Sequence, residues 1–125
     1  MPDEEKLRQQ MAQIGTRYLT RTLGELQRIR ELATQIQSGS VAELKDLEHA
    51  AHKIHGSGAM FGFDQVSDRA GEIEHIAGYL ARRDVPEHLH GVADDELRRR
   101  LGESVRQLEE LTRSAARDLG IDNVP

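Results

Sequence analysis

The sequence lacks cysteine and tryptophan, and aromatic residues make up only 3% of its 125 residues. Without cysteine the chain cannot form a disulfide framework or a thiolate metal site, and this absence is typical of cytoplasmic proteins. No apolar run approaches the roughly 18 residues that a membrane-spanning helix needs. The first residues also lack the basic and then apolar layout of a signal peptide. We therefore expect a cytoplasmic protein with no membrane segment.

The chain has fewer basic than acidic residues: 17 Lys and Arg and 22 Asp and Glu give a net charge of −5. This balance argues against nucleic acid as the main partner. The apolar residues are mainly Leu, Ile and Ala, which favours helices, whereas strands favour Val, Thr and aromatic side chains. A chain of this length can bury one modest core. We predict a single all-α domain over residues 1–125, and we expect it to be a monomer.

Apolar residues recur at steps of three and four along the chain, as they do on one face of an α-helix. The first such segment covers residues 3–37, but Gly15 and Thr16 interrupt its apolar period. The interruption predicts a short extra N-terminal helix followed by a long helix from about Arg17. One kinked helix over the whole segment is the alternative.

Ser40 and Glu43 have the spacing of a capping box, in which each side chain bonds the backbone N–H of the other residue. We predict that the second helix runs from this box to about Phe61. Gly62 then suits the left-handed position that ends many helices. Asp64 is a favourable N-cap for a third helix.

The third helix is predicted to end near Arg83, before a loop over 84–92 that contains proline and glycine. A fourth helix is predicted over 94–119, with a short tail over 120–125. Four amphipathic helices with short connections favour an antiparallel up-down-up-down four-helix bundle, with its core over about 17–118.

The second helix carries histidines just before a glycine-rich stretch. At about 100° per residue, His52 lies roughly 135° from the centre of the apolar stripe and is predicted to be exposed. His55 lies about 75° from that centre, on the flank of the helix. Gly56 follows His52 by one turn, and Ser57 keeps the adjoining surface low.

An exposed imidazole is a competent nucleophile near neutral pH. Attack on a phosphoryl group also needs positive charge or donors for its oxygens. Lys53 and His55 are the candidates for this role. Glu74, about 90° from the apolar stripe of the third helix and beside the small residue Gly71, could hold one ring nitrogen of His52 and leave the other free.

These residues resemble the histidine-containing phosphotransfer (Hpt) domains of bacterial and eukaryotic phosphorelays. The family signature is roughly Ala-His-x-Leu-Lys-Gly-Ser/Ala, then Leu/Phe-Gly, then a Leu-Glu or Leu-Gln pair in the following helix. The matching stretches here are Ala51-His52-Lys53-Ile54-His55-Gly56-Ser57, Phe61-Gly62-Phe63 and Ile73-Glu74. The Phe-Gly-Phe and the Ala-Ala before the histidine are similar to the N-terminal phosphotransfer domain of chemotaxis-type histidine kinases.

The resemblance implies that His52 carries the phosphoryl group on a ring nitrogen and that Glu74 holds the other ring nitrogen. It also implies that Gly56 leaves room for an incoming receiver domain. We expect Ser57 and Gly71 to line the same docking face.

One residue departs from the family pattern, because His55 stands where the family usually has lysine. A lysine is charged at any physiological pH, and a histidine need not be. The charge that supports the phosphoryl group is therefore expected to be weaker or pH-dependent, or to be supplied in part by Lys53.

The resemblance implies response-regulator receiver domains and a histidine kinase as partners. The sequence has no glycine-rich nucleotide-binding loop, so a phosphoryl carrier is expected rather than an autonomous kinase. We expect no cofactor in this chain, and we expect the Mg²⁺ of the reaction to bind in the partner receiver domain.

Two other functions fit part of the pattern. His49, His52 and His55 could ligate a metal ion, since imidazole is a common ligand. However, they spread over about 120° of the helix and would need help from His75 or from the histidines of the loop over 84–92. A bundle that binds receivers as a scaffold, without being phosphorylated, is the other alternative, and the missing lysine favours it.

Overall fold

A computed structural model describes residues 2–82 and 94–121, which contain four α-helices and no strand. The helices are α1 (Pro2–Gln37), α2 (Leu44–Gly58), α3 (Asp64–Arg82) and α4 (Asp94–Asp118), and a 3₁₀ turn (Ala59–Phe61) continues α2. Within these ranges no helix combines the length and the apolar character needed to cross a membrane. The predicted all-α four-helix bundle is confirmed. The loop predicted over 84–92 and the end of the predicted tail lie outside the described residues.

The apolar stripes of the four helices meet in one core. Each helix contributes side chains with no exposed surface, among them Ile29, Leu47, Ile73 and Leu101. Burial of such a side chain stabilises the fold by roughly 1.5–3 kcal/mol. α1 and α3 each pack against both α2 and α4, so the helices form a closed ring around this core. The core thereby holds α2 and α3 side by side.

The first helix is continuous, so the break predicted at Gly15 and Thr16 does not occur and the alternative of a single helix is correct. Gly15 is buried, and a Cβ at this position would lie 3.5 Å from the ring of Phe63. This distance is an ordinary van der Waals contact, so the ring of Phe63, from the turn before α3, packs beside α1 at this position. The predicted extra helix is the exposed N-terminal part of α1, over residues 3–14.

The predicted capping box at the start of the second helix is wrong. α2 begins at Leu44, and Glu43 occupies its N-cap position without a side-chain capping hydrogen bond. The hydroxyl of Ser40 donates to the carboxylate of Glu43, so the two side chains satisfy each other. Backbone bonds organise this end of the helix, because the N–H of Leu47 donates to the carbonyl of Glu43 at 3.0 Å.

The predicted end of the second helix at Gly62 is confirmed. Gly62 has φ +85°, a left-handed conformation that costs glycine little. Its N–H donates to the carbonyl of Ala59 at 3.2 Å, and the N–H of Phe63 donates to the carbonyl of Gly58 at 2.9 Å. These two bonds form a Schellman motif. Asp64 follows as the first residue of α3, not as the N-cap before it.

Candidate functional site

α2 turns two histidines toward its accessible side while its neighbouring residues enter the core. The side chain of His52 is 70% exposed, and that of His55 is 41% exposed. Ala51 and Ile54, which alternate with them along the helix, are buried. The observed exposures agree with the helical phases inferred from the sequence, and His52 is accessible to another macromolecule.

Glu74 of α3 contacts both histidines. Its Oε2 lies 2.7 Å from Nδ1 of His52, and its Oε1 lies 2.8 Å from Nδ1 of His55. An ionised carboxylate can only accept hydrogen bonds, so both Nδ1 atoms donate. In a neutral ring of His52 the lone pair therefore lies on Nε2. The structure brings the predicted pair together and adds a second imidazole to the same carboxylate.

The environment of Glu74 keeps its carboxyl group ionised. Burial acts to raise the pKa of Glu74, but hydrogen bonds from His55 and His52 and the attraction of their charges outweigh it, and the pKa is lowered. The side chain is only 18% exposed, so water competes little for its oxygens. Glu74 is therefore an anionic acceptor throughout the neutral pH range.

The ring of His55 is held against α3. A Cβ at Gly71 would lie 3.0 Å from Nε2 of His55, so the glycine provides the space for this ring. Ser67 donates its hydroxyl to the backbone carbonyl of His55 at 2.8 Å, and His75 meets the ring edge-on at a centroid distance of 6.2 Å. Both ring nitrogens of His55 thus face α3. This geometry favours the contact with Glu74 over the predicted stabilisation of phosphoryl oxygens.

The residues predicted to form the docking face have different environments. Gly56 is exposed, and no atom lies within 4 Å of the position of a Cβ there, so the surface beside it is open. Ser57 is half-buried and lines a groove of about 440 Å³ between α1 and α2. Gly71 is buried beneath His55.

The groove between α1 and α2 lies on the other side of α2 from Glu74. Lys53 lines it from α2, and Arg21 and Glu25 line it from α1. The hydroxyl of Tyr18 donates to the carbonyl of Ile54 at 2.9 Å and fixes α1 beside this part of α2. The contribution of α1 cannot be predicted from sequence periodicity, because periodicity does not give the relative height of two helices.

Gly58 marks the closest approach of the helices near the site. A Cβ at Gly58 would lie 2.8 Å from the hydroxyl of Tyr18 and 2.9 Å from Cβ of Ser67. Tyr18 also stacks on Phe63 with a centroid distance of 5.6 Å, and it contacts Phe61 at the same distance. The aromatic side chains of α1 and of the α2–α3 turn thus stabilise the end of α2 that follows the histidines.

The position of the turn in the sequence indicates which residues of α2 and α3 face each other. His52 and Glu74 lie 11 residues on either side of Phe63, and His55 and Gly71 lie 8 residues on either side of it. In an antiparallel helix pair with a tight turn, residues at equal distances from the turn lie at the same height. Centring the helix pair on Phe63 therefore pairs His55 with Gly71.

The metal-site alternative has no support in the geometry. Among residues 2–82 and 94–121, no group of three or more His, Cys, Asp or Glu side chains is placed to hold a metal ion. His52 and His55 both direct Nδ1 at Glu74 and not at a point shared with His49. The two histidines of the loop over 84–92 lie outside the described residues.

Comparison with known proteins identifies the family. The family model described as Hpt domain matches residues 5–112, a range that includes His52, His55 and Glu74. No curated protein and no solved structure matched the chain. The matched range covers most of the 125 residues and most of the described helices. The chain therefore belongs to the Hpt domain family, whose members act in the histidine phosphotransfer steps of phosphorelays.

Proposed function

We propose that this chain carries a phosphoryl group on Nε2 of His52. It accepts the group from a histidine kinase or from a receiver-domain aspartate, and it passes the group to the aspartate of a response-regulator receiver. The observation that carries this proposal is the 2.7 Å contact between Nδ1 of His52 and Glu74, because it leaves Nε2 as the free nitrogen of an exposed ring. The absence of cysteine is in keeping with work in the cytoplasm.

The transfer step uses the lone pair of Nε2. This nitrogen attacks the phosphorus of an aspartyl phosphate, the P–N bond forms as the P–O bond breaks, and aspartate leaves as a carboxylate. The proton on Nδ1 stays in place, so the phosphorylated ring gains positive charge. Glu74 is anionic and already hydrogen-bonded to Nδ1, so it stabilises this charge without reorganisation. In the reverse step His52 leaves as a neutral imidazole.

The surroundings of His52 suit a macromolecular donor. Gly56 leaves the surface beside His52 open, and Ser57 and Lys53 line the neighbouring groove between α1 and α2, where Lys53 adds positive charge. We assign these three residues to the face on which a receiver domain docks. The Mg²⁺ of the reaction belongs to the receiver domain in this scheme. The chain itself acts as a monomeric carrier.

Phosphoryl labelling tests the proposal. The purified protein is incubated with phosphorylated receiver domains and with histidine kinases of its host. We expect a phosphate that is labile in acid and stable in base, as a phosphohistidine is. His52→Gln should remove it, whereas His49→Gln, a substitution of an exposed histidine one turn earlier, should keep it.

Two results would contradict the proposal. Labelling that persists in His52→Gln would place the phosphoryl group elsewhere. Binding of a receiver with no transfer in either direction, across the full set of kinases and receivers of the host, would favour the scaffold alternative.

A further inference from the structure

Both oxygens of Glu74 are engaged, and each has a different partner. Oε2 accepts from Nδ1 of His52 at 2.7 Å, and Oε1 accepts from Nδ1 of His55 at 2.8 Å. A carboxylate with one partner can rotate about its terminal bond, because such torsions are broad. A second donor on the other oxygen restricts that rotation. The phosphotransfer scheme uses only the bond to His52, so the bond to His55 requires its own explanation.

We infer that His55 is a positioning residue for His52, and that Gly71 is part of the same arrangement. His55 holds one oxygen of Glu74 so that the other oxygen stays directed at Nδ1 of His52. This keeps the proton of His52 on Nδ1 and the lone pair on Nε2. The inference rests on the proposed role of His52, but it concerns the protein before any phosphoryl group arrives.

Gly71 determines which nitrogen of His55 carries the hydrogen. The Nε2 of His55 lies against Gly71, where a Cβ would be only 3.0 Å away, and glycine has no side chain that could accept a hydrogen bond. The Nδ1 atom faces the anionic carboxylate of Glu74. A neutral His55 therefore carries its hydrogen on Nδ1, and a protonated His55 carries one there as well. The ring donates to Glu74 in both states.

The backbone of His55 is also fixed. The hydroxyl of Ser67 donates to the His55 carbonyl at 2.8 Å, and the edge-on ring of His75 covers another side of the imidazole. A side chain held this firmly is suited to orient a neighbour. It is less suited to follow a phosphoryl group that arrives and leaves. His55, which stands where the family usually has lysine, thus serves to orient Glu74.

Nuclear magnetic resonance of the imidazole nitrogens measures the predicted quantity directly. The ratio of the Nδ1–H to the Nε2–H tautomer of His52 is determined at about pH 8, where ordinary imidazoles are neutral. His55→Leu fills the space without a donor, and His55→Asn keeps a donor near the position of Nδ1. Gly71→Ala displaces the ring. Gly24→Ala, on an exposed helical surface with no atom within 4 Å of a new Cβ, is the matched glycine control.

We expect His52 to be mainly the Nδ1–H tautomer in the unaltered protein and in Gly24→Ala. The ratio should fall about fivefold in His55→Leu, the effect of one lost hydrogen bond. It should fall in Gly71→Ala also, and His55→Asn should restore most of it. Because His55 and Gly71 act together, His55→Leu with Gly71→Ala should lower the ratio no further than His55→Leu alone.

An unchanged ratio in both His55→Leu and Gly71→Ala would overturn the inference. A fall in His55→Leu that His55→Asn fails to restore would also overturn it, since the effect would then come from packing and not from the hydrogen bond. All these measurements use the unphosphorylated protein. They answer the question even if labelling fails, and labelling can succeed even if the ratio does not change, so the two proposals fail separately.

Discussion

Two carboxylates bridge α2 and α3, and they differ in the groups that hold them. Glu48 of α2 accepts hydrogen bonds from the two terminal nitrogens of Arg82 at 2.8 and 2.6 Å. Glu74 of α3 accepts from two imidazoles of α2 at 2.7 and 2.8 Å. Each contact lies beside a glycine of α3, Gly78 or Gly71, where a Cβ would approach the contacting side chains.

The difference separates a structural contact from a reactive one. The guanidinium of Arg82 is charged at every physiological pH and uses two donors on one carboxylate, so this pair has one arrangement. The imidazole of His52 uses one nitrogen on Glu74 and leaves the other exposed. The same interface can therefore fix two helices at one position and present a nucleophile at another.

The largest expected effect comes from replacing each carboxylate with its amide. Glu74→Gln should slow phosphoryl transfer about tenfold to a hundredfold. This range is typical when a residue that hydrogen-bonds and orients a functional imidazole is replaced. Glu48→Gln should leave the transfer rate within about twofold and lower the free energy of unfolding by about 1 kcal/mol, because Arg82 is half exposed. Rapid-quench transfer kinetics and urea unfolding measure the two effects. Equal effects of the two substitutions on the transfer rate would contradict the distinction between a structural contact at Glu48 and a reactive one at Glu74.

A substitution where α2 and α3 approach each other closely should destabilise the fold. Gly58→Ala places a Cβ 2.9 Å from Cβ of Ser67 and 3.2 Å from its Cα, and backbone atoms cannot move aside at low cost. We expect a loss of about 1–3 kcal/mol in the free energy of unfolding. Gly24→Ala, with open space around the new Cβ, should instead stabilise the helix by up to about 1 kcal/mol. Unfolding in urea compares the two variants, and equal stabilities would mean that α2 and α3 are not closely packed at Gly58.

The contribution of each carboxylate to stability should depend on pH. Hydrogen bonds from Arg82 hold the pKa of Glu48 below its ordinary value of 4.5. Its stabilising effect is therefore complete above about pH 4.5 and lost as the pH falls through the folded-state pKa. The stability difference between the unaltered protein and Glu48→Gln should be constant from about pH 8 to 5.5 and should shrink at lower pH.

Glu74 also has a lowered pKa, so its contribution is lost at acid pH as well. The stability difference for Glu74→Gln should therefore shrink as well when the pH falls below about 4.5, because the carboxyl group becomes protonated. Urea unfolding at a series of pH values tests both profiles. A stability difference that does not shrink at acid pH would show that the pKa of that carboxyl group is not lowered by folding.

The smallest expected effect is that of His55→Lys. A lysine keeps its charge across the neutral range and can still reach toward Glu74, so transfer should vary less with pH between about 5.5 and 7.5 than in the unaltered protein. At about pH 7 we expect rates within about threefold of each other. Transfer to one receiver across this pH range is the measurement. Parallel pH profiles would show that the charge of residue 55 has no role in the rate.

Much of the fold follows from local patterns in the sequence. The apolar period predicts the four helices. Gly62 predicts the end of α2, because the positive φ that ends many helices is a local requirement that glycine meets. The errors have non-local causes. Gly15 resembles a helix break in the sequence, but in the fold it is buried within a continuous helix, beside the ring of Phe63. Ser40 has the spacing of a cap, but its hydroxyl bonds the side chain that should have completed the box.

The functional site also has features that follow from local sequence and features that depend on packing. The exposure of His52 and the direction of Glu74 follow from helical phase, which the sequence contains. The contact between Glu74 and His55 also needs the relative height of α2 and α3, which the turn at Gly62 sets. Gly71 was predicted to line the docking face as a small residue beside Glu74, and only the packing of the two helices places it under an imidazole.

Identification of the phosphorylated atom tests the central claim most directly. The protein is phosphorylated by a cognate receiver or kinase. The modified nitrogen is then identified by nuclear magnetic resonance, from the phosphorus–nitrogen couplings in a sample whose histidines carry nitrogen-15. The contact of Nδ1 with Glu74 predicts that the phosphoryl group is on Nε2 of His52. A phosphoryl group on Nδ1 of His52, or on any other residue, would contradict the account.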